Sequence, residues 1–81
     1  NHVYDDDEFD EKVEELAAQI ASGPDVAFRH TKRLLNEGFE KSIEQAMTDE
    51  AVAQGIVFQT DDHHEGVEAF MEGRDPEFQG E

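Results

Sequence analysis

The sequence predicts an all-α domain of about four helices with short connections, and three observations predict it. Apolar residues recur at three- and four-residue intervals along most of the chain, the spacing of a helix face. Breakers fall between the periodic runs, at Gly23-Pro24, at Gly38, and at Gly73 with Pro76. No segment alternates apolar and polar residues over the length of a strand. The 81 residues make one small domain at most.

The elements follow in order. His2-Val3-Tyr4 reads as the end of an extended segment, and one of Asp5, Asp6 and Asp7 is expected to cap the first helix. Acidic residues there also suit the positive end of a helix dipole. Phe9, Val13, Leu16, Ala17 and Ile20 share a face, which predicts helix 1 over 7–21. Gly23 and Pro24 end it, and Pro24 suits the first turn of the next helix. Helix 2 is expected over 24–36, with Ala27, Thr31, Leu34 and Leu35 inward and Gly38 as its stop. Helix 3 is expected over 40–58, with Ile43, Ala46, Met47, Ala53 or Gln54, and Val57 inward. Gly55 weakens that helix by about 1 kcal/mol relative to Ala and permits a bend or a close helix approach. Helix 4 is expected over 61–72, capped by Thr60, Asp61 or Asp62. Asp62 and Glu65 have the spacing of a capping box, and Val67, Phe70 and Met71 share a face. Gly73 can close the helix in the left-handed conformation, Pro76 prevents its resumption, and Phe78 is expected to anchor the tail.

Composition argues that this chain does not close a core alone. Eight of its 29 apolar residues are Ala, and Leu and Ile together number six. A chain this small buries only about 60–65% of its unfolded surface even when compact. The expectation is a set of helices resting on a partner surface. The net charge of −16 is the second strong signal, and it is uneven. Residues 1–15 hold eight acids and one base, residues 16–41 hold three acids and four bases, and residues 42–81 hold eleven acids and one base. Helical periodicity argues against an acidic disordered tail and for a folded, acid-coated surface, as expected of a protein from a high-salt cytoplasm. Nucleic acid is excluded as an expected partner, because its phosphates would be repelled.

The absence of cysteine rules out disulfides, thiol catalysis and zinc–thiolate sites. No apolar run approaches a membrane span and no signal peptide is visible, so a cytoplasmic parent is expected. The chain opens at Asn1 without an initiator Met, as expected of a fragment or processed product.

Candidate chemistry is sparse. Asp61-Asp62-His63-His64-Glu65 has a metal-like composition, but adjacent helical side chains diverge, and His64 with Glu68 supplies only two ligands. Asp5–Asp7 lacks the following Gly and closing acid of a calcium loop. No metal is expected. Arg29, Lys32 and Arg33, with His30, form the only basic island. Their bland role is to neutralise acidic neighbours; their sharper one is to meet a phosphate. Glu50 lies among apolar residues and is expected to be buried or hydrogen-bonded between helices. No nucleophile–base pair stands out, so no catalytic residue is assigned.

Read in order, Thr60, Asp62, Glu65-Gly66, Ala69-Phe70, Glu72, Arg74, Pro76, Phe78 and Gly80 give T-x-D-x-x-E-G-x-x-A-F-x-E-x-R-x-P-x-F-x-G. That string resembles the C-terminal signature of the enoyl-CoA hydratase/isomerase (crotonase) family. Leu16-Ala17, Ile20-Ala21, Gly23-Pro24, Ala27, Lys32, Leu34-Leu35, Ser42, Glu50 and the run from Ala53 to Phe58 extend the resemblance over most of residues 13–80. The resemblance implies that residues 1–81 are a C-terminal helical trimerisation segment without the N-terminal catalytic core. It implies a homo-oligomeric parent, a trimer or a dimer of trimers, acting on acyl-CoA thioesters. Hydration of a 2-enoyl-CoA is the expected reaction, with isomerisation next. The backbone donors that stabilise a thioester enolate would lie in the core, so the segment alone is expected to be inactive and to bind no cofactor.

Two residues are candidate coenzyme A contacts. Phe70 matches a family Phe that approaches the adenine of a neighbouring subunit's ligand, although the basic residue found three positions later in such members is Gly73 here. Arg33 is the candidate phosphate contact from the basic island. The alternative reading, of another class, is a stand-alone acidic helical interaction module with no enzymatic parent.

Overall fold

A computed structural model describes all 81 residues and contains four α-helices and no strand. These are α1 (Phe9–Ala21), α2 (Asp25–Glu37), α3 (Ile43–Val57) and α4 (Asp61–Glu72), with a single 3₁₀ turn over Gly38–Glu40. The four-helix reading holds, and the boundaries shift for physical reasons. Residues 5–8 form a turn in which the Glu8 N–H reaches the Asp5 carbonyl at 2.9 Å, so no aspartate side chain caps α1. Pro24 stands at the N-cap of α2, one residue outside the helix. Gly38 does not turn left-handed; it keeps a right-handed conformation and tightens the chain into the 3₁₀ turn. Helix α3 starts later than expected because Ser42 caps it, its hydroxyl accepting from the Gln45 N–H at 3.1 Å.

Two glycines are required by position. A Cβ at Gly23 would run into the Phe28 ring, which folds back over the α1–α2 turn. Gly73 ends α4 at φ 68°, a region costly for side chains with a Cβ. There the Arg74 N–H reaches the Ala69 carbonyl at 3.0 Å, satisfying a helix-end acceptor.

The helices do not enclose a core. Only Ala53, Ala69 and Asp62 are buried, and α1 contains no buried residue at all. The radius of gyration is 15.8 Å, against about 12 Å for a compact chain of this length. The accessible surface is 6813 Å², roughly 1,900 Å² more than a compact monomer of this mass presents. Helix α2 packs on α3 and on the 3₁₀ turn, whereas the other helix pairs touch weakly. The face expected on α1 is open, with Phe9, Val13 and Ile20 all exposed. Of the α3 residues expected inward, Ala46, Ala53 and Val57 line the cleft against α2, whereas Ile43 and Met47 are exposed.

Candidate functional site

The residues of the C-terminal signature meet in one clasp. Thr60 caps α4, its hydroxyl accepting from the His63 N–H at 3.1 Å. From that start, Asp62, Glu65, Gly66 and Ala69 recur at i, i+3, i+4 and i+7, one side of the helix. The tail after Gly73 turns back along that side. The buried Asp62 carboxylate accepts from the backbone N–H of Gln79 at 2.7 Å and of Gly80 at 2.9 Å. The Asp62 N–H in turn donates to the Glu81 carbonyl at 2.8 Å. Glu65 accepts two bonds from Arg74, at 2.7 and 2.9 Å, and a third from the Glu77 N–H at 2.7 Å. The Phe78 ring lies over Gly66, where even a methyl group would sit within 3.6 Å of it. Asp62 and Glu65 therefore fasten the tail and form no capping box, which corrects the expectation from their spacing. Phe78 anchors the tail as expected.

Charge complements this geometry. The Arg74 guanidinium, followed by the Glu77 N–H, lowers the Glu65 carboxyl from the usual 4.5 to about 2. Arg74 is raised above its usual value by hydrogen bonds to Glu65 and then Glu72. A carboxylate depressed in the folded state contributes stability above its unfolded value and loses that contribution as pH falls toward its folded value. The Glu65 clasp is thus complete above pH 4.5 and lost between 4.5 and about 2. Hydrogen exchange at the Glu77 amide is expected to accelerate across that window, after correction for the intrinsic pH dependence of exchange. Glu65→Gln is expected to abolish this transition.

Two open clefts flank the helices. The first, about 380 Å³, runs between α2 and α3 and is lined by Ala27, Leu34, Leu35, Ala46, Ala53 and Val57 among others. The predicted inner face of α2, including Thr31, lines this cleft, but Thr31 and Leu35 are exposed there and not covered. Lys41 donates to Glu37 at 2.8 Å and pairs with Asp49, whose other oxygen accepts from the Gln45 amide at 2.8 Å. The Lys41 hydrogen bond lowers both carboxyls, and the bonds to Asp49 and then Glu37 raise Lys41. His30 Nδ1 is buried at this cleft without a hydrogen-bond partner. Glu50 lines the same cleft but is exposed, with no hydrogen-bond partner between the helices, contrary to expectation.

The second cleft, about 330 Å³, lies where α4 and the tail approach the start of α2. Val26, Val57, Gly66, Val67, Phe70 and Phe78 contribute to its walls. Phe70 stands at its rim, 85% exposed. Arg33 lines neither cleft. It pairs along its own helix with Glu37 at 3.4 Å, as Arg29 does with Asp25. The structure does not bring the two candidate coenzyme A contacts into one cleft. The cleft hydroxyls are committed to backbone: Thr31 donates to the Ala27 carbonyl and Thr60 to the Val57 carbonyl. His64 Nδ1 bonds the Thr60 carbonyl at 2.9 Å, and the His63 ring lies against Phe58 at 4.6 Å between centroids. No helix is long and apolar enough to cross a membrane.

The family model described as enoyl-CoA hydratase/isomerase matches residues 1–81. Crotonyl-CoA hydratase of Syntrophomonas wolfei is 38% identical over 78 residues, which are 96% of this chain and 30% of the relative. Short-chain-enoyl-CoA hydratase of Clostridium acetobutylicum is 32% identical over 91% of this chain and 28% of its own length. The crystal structure of an enoyl-CoA hydratase from Geobacillus kaustophilus superposes with a TM-score of 0.86 at 29% identity, covering 98% of this chain and 30% of that one. The chain thus spans less than a third of the length of these relatives.

Proposed function

The chain belongs to the enoyl-CoA hydratase/isomerase family, and from that premise we propose that it is the C-terminal assembly segment of an acyl-CoA-processing enzyme. The observation that carries this reading is the open architecture: three buried residues in 81 and an accessible surface far above that of a compact monomer. Such helices gain their stability from surfaces they do not themselves supply. Family membership favours an enzymatic parent over a free-standing interaction module. The parent is proposed to add water to 2-enoyl-CoA thioesters, in line with the names of the relatives, and to do so in the cytoplasm. The segment supplies no catalytic group; its cleft hydroxyls are bound to backbone carbonyls. Its work is to cover the catalytic core and hold copies of the enzyme together in a trimer or a pair of trimers. Phe70, at the rim of the second cleft, is the proposed contact to coenzyme A. The acid coat is proposed to be an adaptation to concentrated salt.

A chimera tests this reading. Residues 1–81 replace the matching segment of the Syntrophomonas crotonyl-CoA hydratase. The expected result is an oligomer that hydrates crotonyl-CoA, while the 81-residue chain alone is inactive. Hydration by the chain alone would overturn the proposal, as would a monomeric, inactive chimera made from two correctly folded parts.

A further inference from the structure

The basic island of α2 stands apart from the rest of the surface. α2 carries three bases, Arg29, Lys32 and Arg33, against two acids, Asp25 and Glu37, and is the only helix in which bases outnumber acids. All three basic residues are exposed. On a chain of net charge −16, repulsion turns a polyanion away from most of the surface and leaves this strip for its approach. The three lysines of the chain differ in what holds them. Lys41 is clamped between Asp49 and Glu37, whose hydrogen bonds raise it above its ordinary value. Lys12 pairs with Glu15 at 3.4 Å inside the acidic run from Asp10 to Glu15. Lys32 makes no ion pair, whereas its neighbours Arg29 and Arg33 pair with Asp25 and Glu37. An ammonium held by carboxylates must give up those bonds as well as a proton before its nitrogen can attack. Lys32 gives up only the proton, and a guanidinium cannot give one up at all.

We propose that Lys32 is a site of covalent modification by acyl-CoA thioesters. The inference rests on the acyl-CoA reading above for its reagent and goes beyond it in naming a reaction of this segment's own. Coenzyme A carries its negative charge on phosphates and its acyl group on sulfur. Arg29 lies three residues before Lys32, on the same side of the helix, and Arg33 follows it directly. Their exposed ion pairs are weak, at 3.4 Å each, so both guanidiniums can turn to a phosphate. The neutral Lys32 Nζ then attacks the thioester carbonyl carbon. The carbon–sulfur bond breaks, and coenzyme A leaves as the thiol, taking up a proton in place of the one the nitrogen sheds. The products are an Nε-acyl-lysine and free coenzyme A, and no other reactant is consumed. The amide is uncharged, so the event removes one of the chain's six bases and weakens the island toward the next polyanion.

Acetyl-CoA, applied to the full chain at about pH 8 and about 0.1 M KCl, tests the site. Peptide mass spectrometry reads the acetylation rate at Lys12, Lys32 and Lys41 separately. Lys32 is expected to react about threefold to tenfold faster than either of the others. The uncharged thioester S-acetyl-N-acetylcysteamine delivers the same acyl group without phosphates, and with it the lead of Lys32 is expected to shrink. Arg29→Gln combined with Arg33→Gln is expected to slow Lys32 toward acetyl-CoA and to leave its rate with the uncharged thioester unchanged. Acetylation of Lys12 or Lys41 as fast as Lys32 would overturn the site. An equal lead with both thioesters would overturn the part given to the island. Hydration by the chimera is a separate measurement. An active chimera with no preference for Lys32 defeats this inference alone, and preference for Lys32 beside a folded but inactive chimera defeats the parent reading alone.

Discussion

Asp62→Ala is expected to release residues 75–81 from α4, the largest single-residue effect in the chain. Asp62 is the one charged side chain that is buried, at 3% exposure. It spends both carboxylate oxygens on the Gln79 and Gly80 N–H groups. Hydrogen bonds to a charged acceptor contribute about 1.5–3 kcal/mol each, and the two share one anchor, so the loss is about 2–4 kcal/mol for the docked tail. Hydrogen exchange should show the Gln79 and Gly80 amides losing most of their protection, while amides in the middle of α3 change little. Asp62→Asn tests the same geometry more sharply. It keeps the volume but retains one acceptor and opposes a donor to the second N–H, so partial release is expected. Unchanged exchange at both tail amides in Asp62→Ala would contradict the clasp.

The clasp also marks where sequence reasoning reached its limit. Helix identities are legible because periodicity and breakers are local: Thr60 caps α4 and Gly73 terminates it as their chemistry dictates, whereas the Ser42 cap moves the start of α3 past the expected residue 40. Asp62 and Glu65 have the spacing of a capping box because that spacing satisfies a local rule, while their actual partners lie 9 to 18 residues away in the tail. The distinguishing signal was present in the pattern. Polar and small residues at positions 62, 65, 66 and 69 share a helix side, and Arg74 follows where a returning tail needs a partner for Glu65. Ile43 and Met47 were placed inward by apolarity alone, yet α3 has more apolar sides than this chain can cover. Apolarity names a residue that will be covered and not the surface that covers it. The same limit applies to Arg33 and Phe70. Their residue types fit a phosphate and an aromatic ring, but the fold sets Arg33 beside Glu37, outside both clefts, and Phe70 at the rim of the second cleft.

Raising KCl from about 0.1 M to 1–2 M is expected to increase helix content and assembly together, because screening contracts from about 10 Å to 3 Å or less. Six of the 22 carboxylates meet a Lys or Arg; Asp62 is held by backbone donors, and the rest are exposed to solvent without a basic partner. Every α-helix carries acid in its first turn and no base in its last, so the C-terminal dipole ends receive no compensating charge. Helices of 12 to 15 residues are marginal in water without packing, and repulsion opposes the packing they need. Circular dichroism and sedimentation along a KCl series should therefore rise in one transition. Sucrose strengthens apolar burial without screening; if it matched KCl at low ionic strength, the electrostatic account would fail. Acid supplies the complementary test. Removing carboxylate charge with acid at low salt should raise helix content as KCl does, while acidification toward the depressed Glu65 value of about 2 unfastens Glu65 from Arg74. The two effects have opposite signs, so global helicity should rise first and the tail should loosen afterward. A single monotonic loss of structure from neutral pH downward would mean that carboxylate repulsion does not govern this fold.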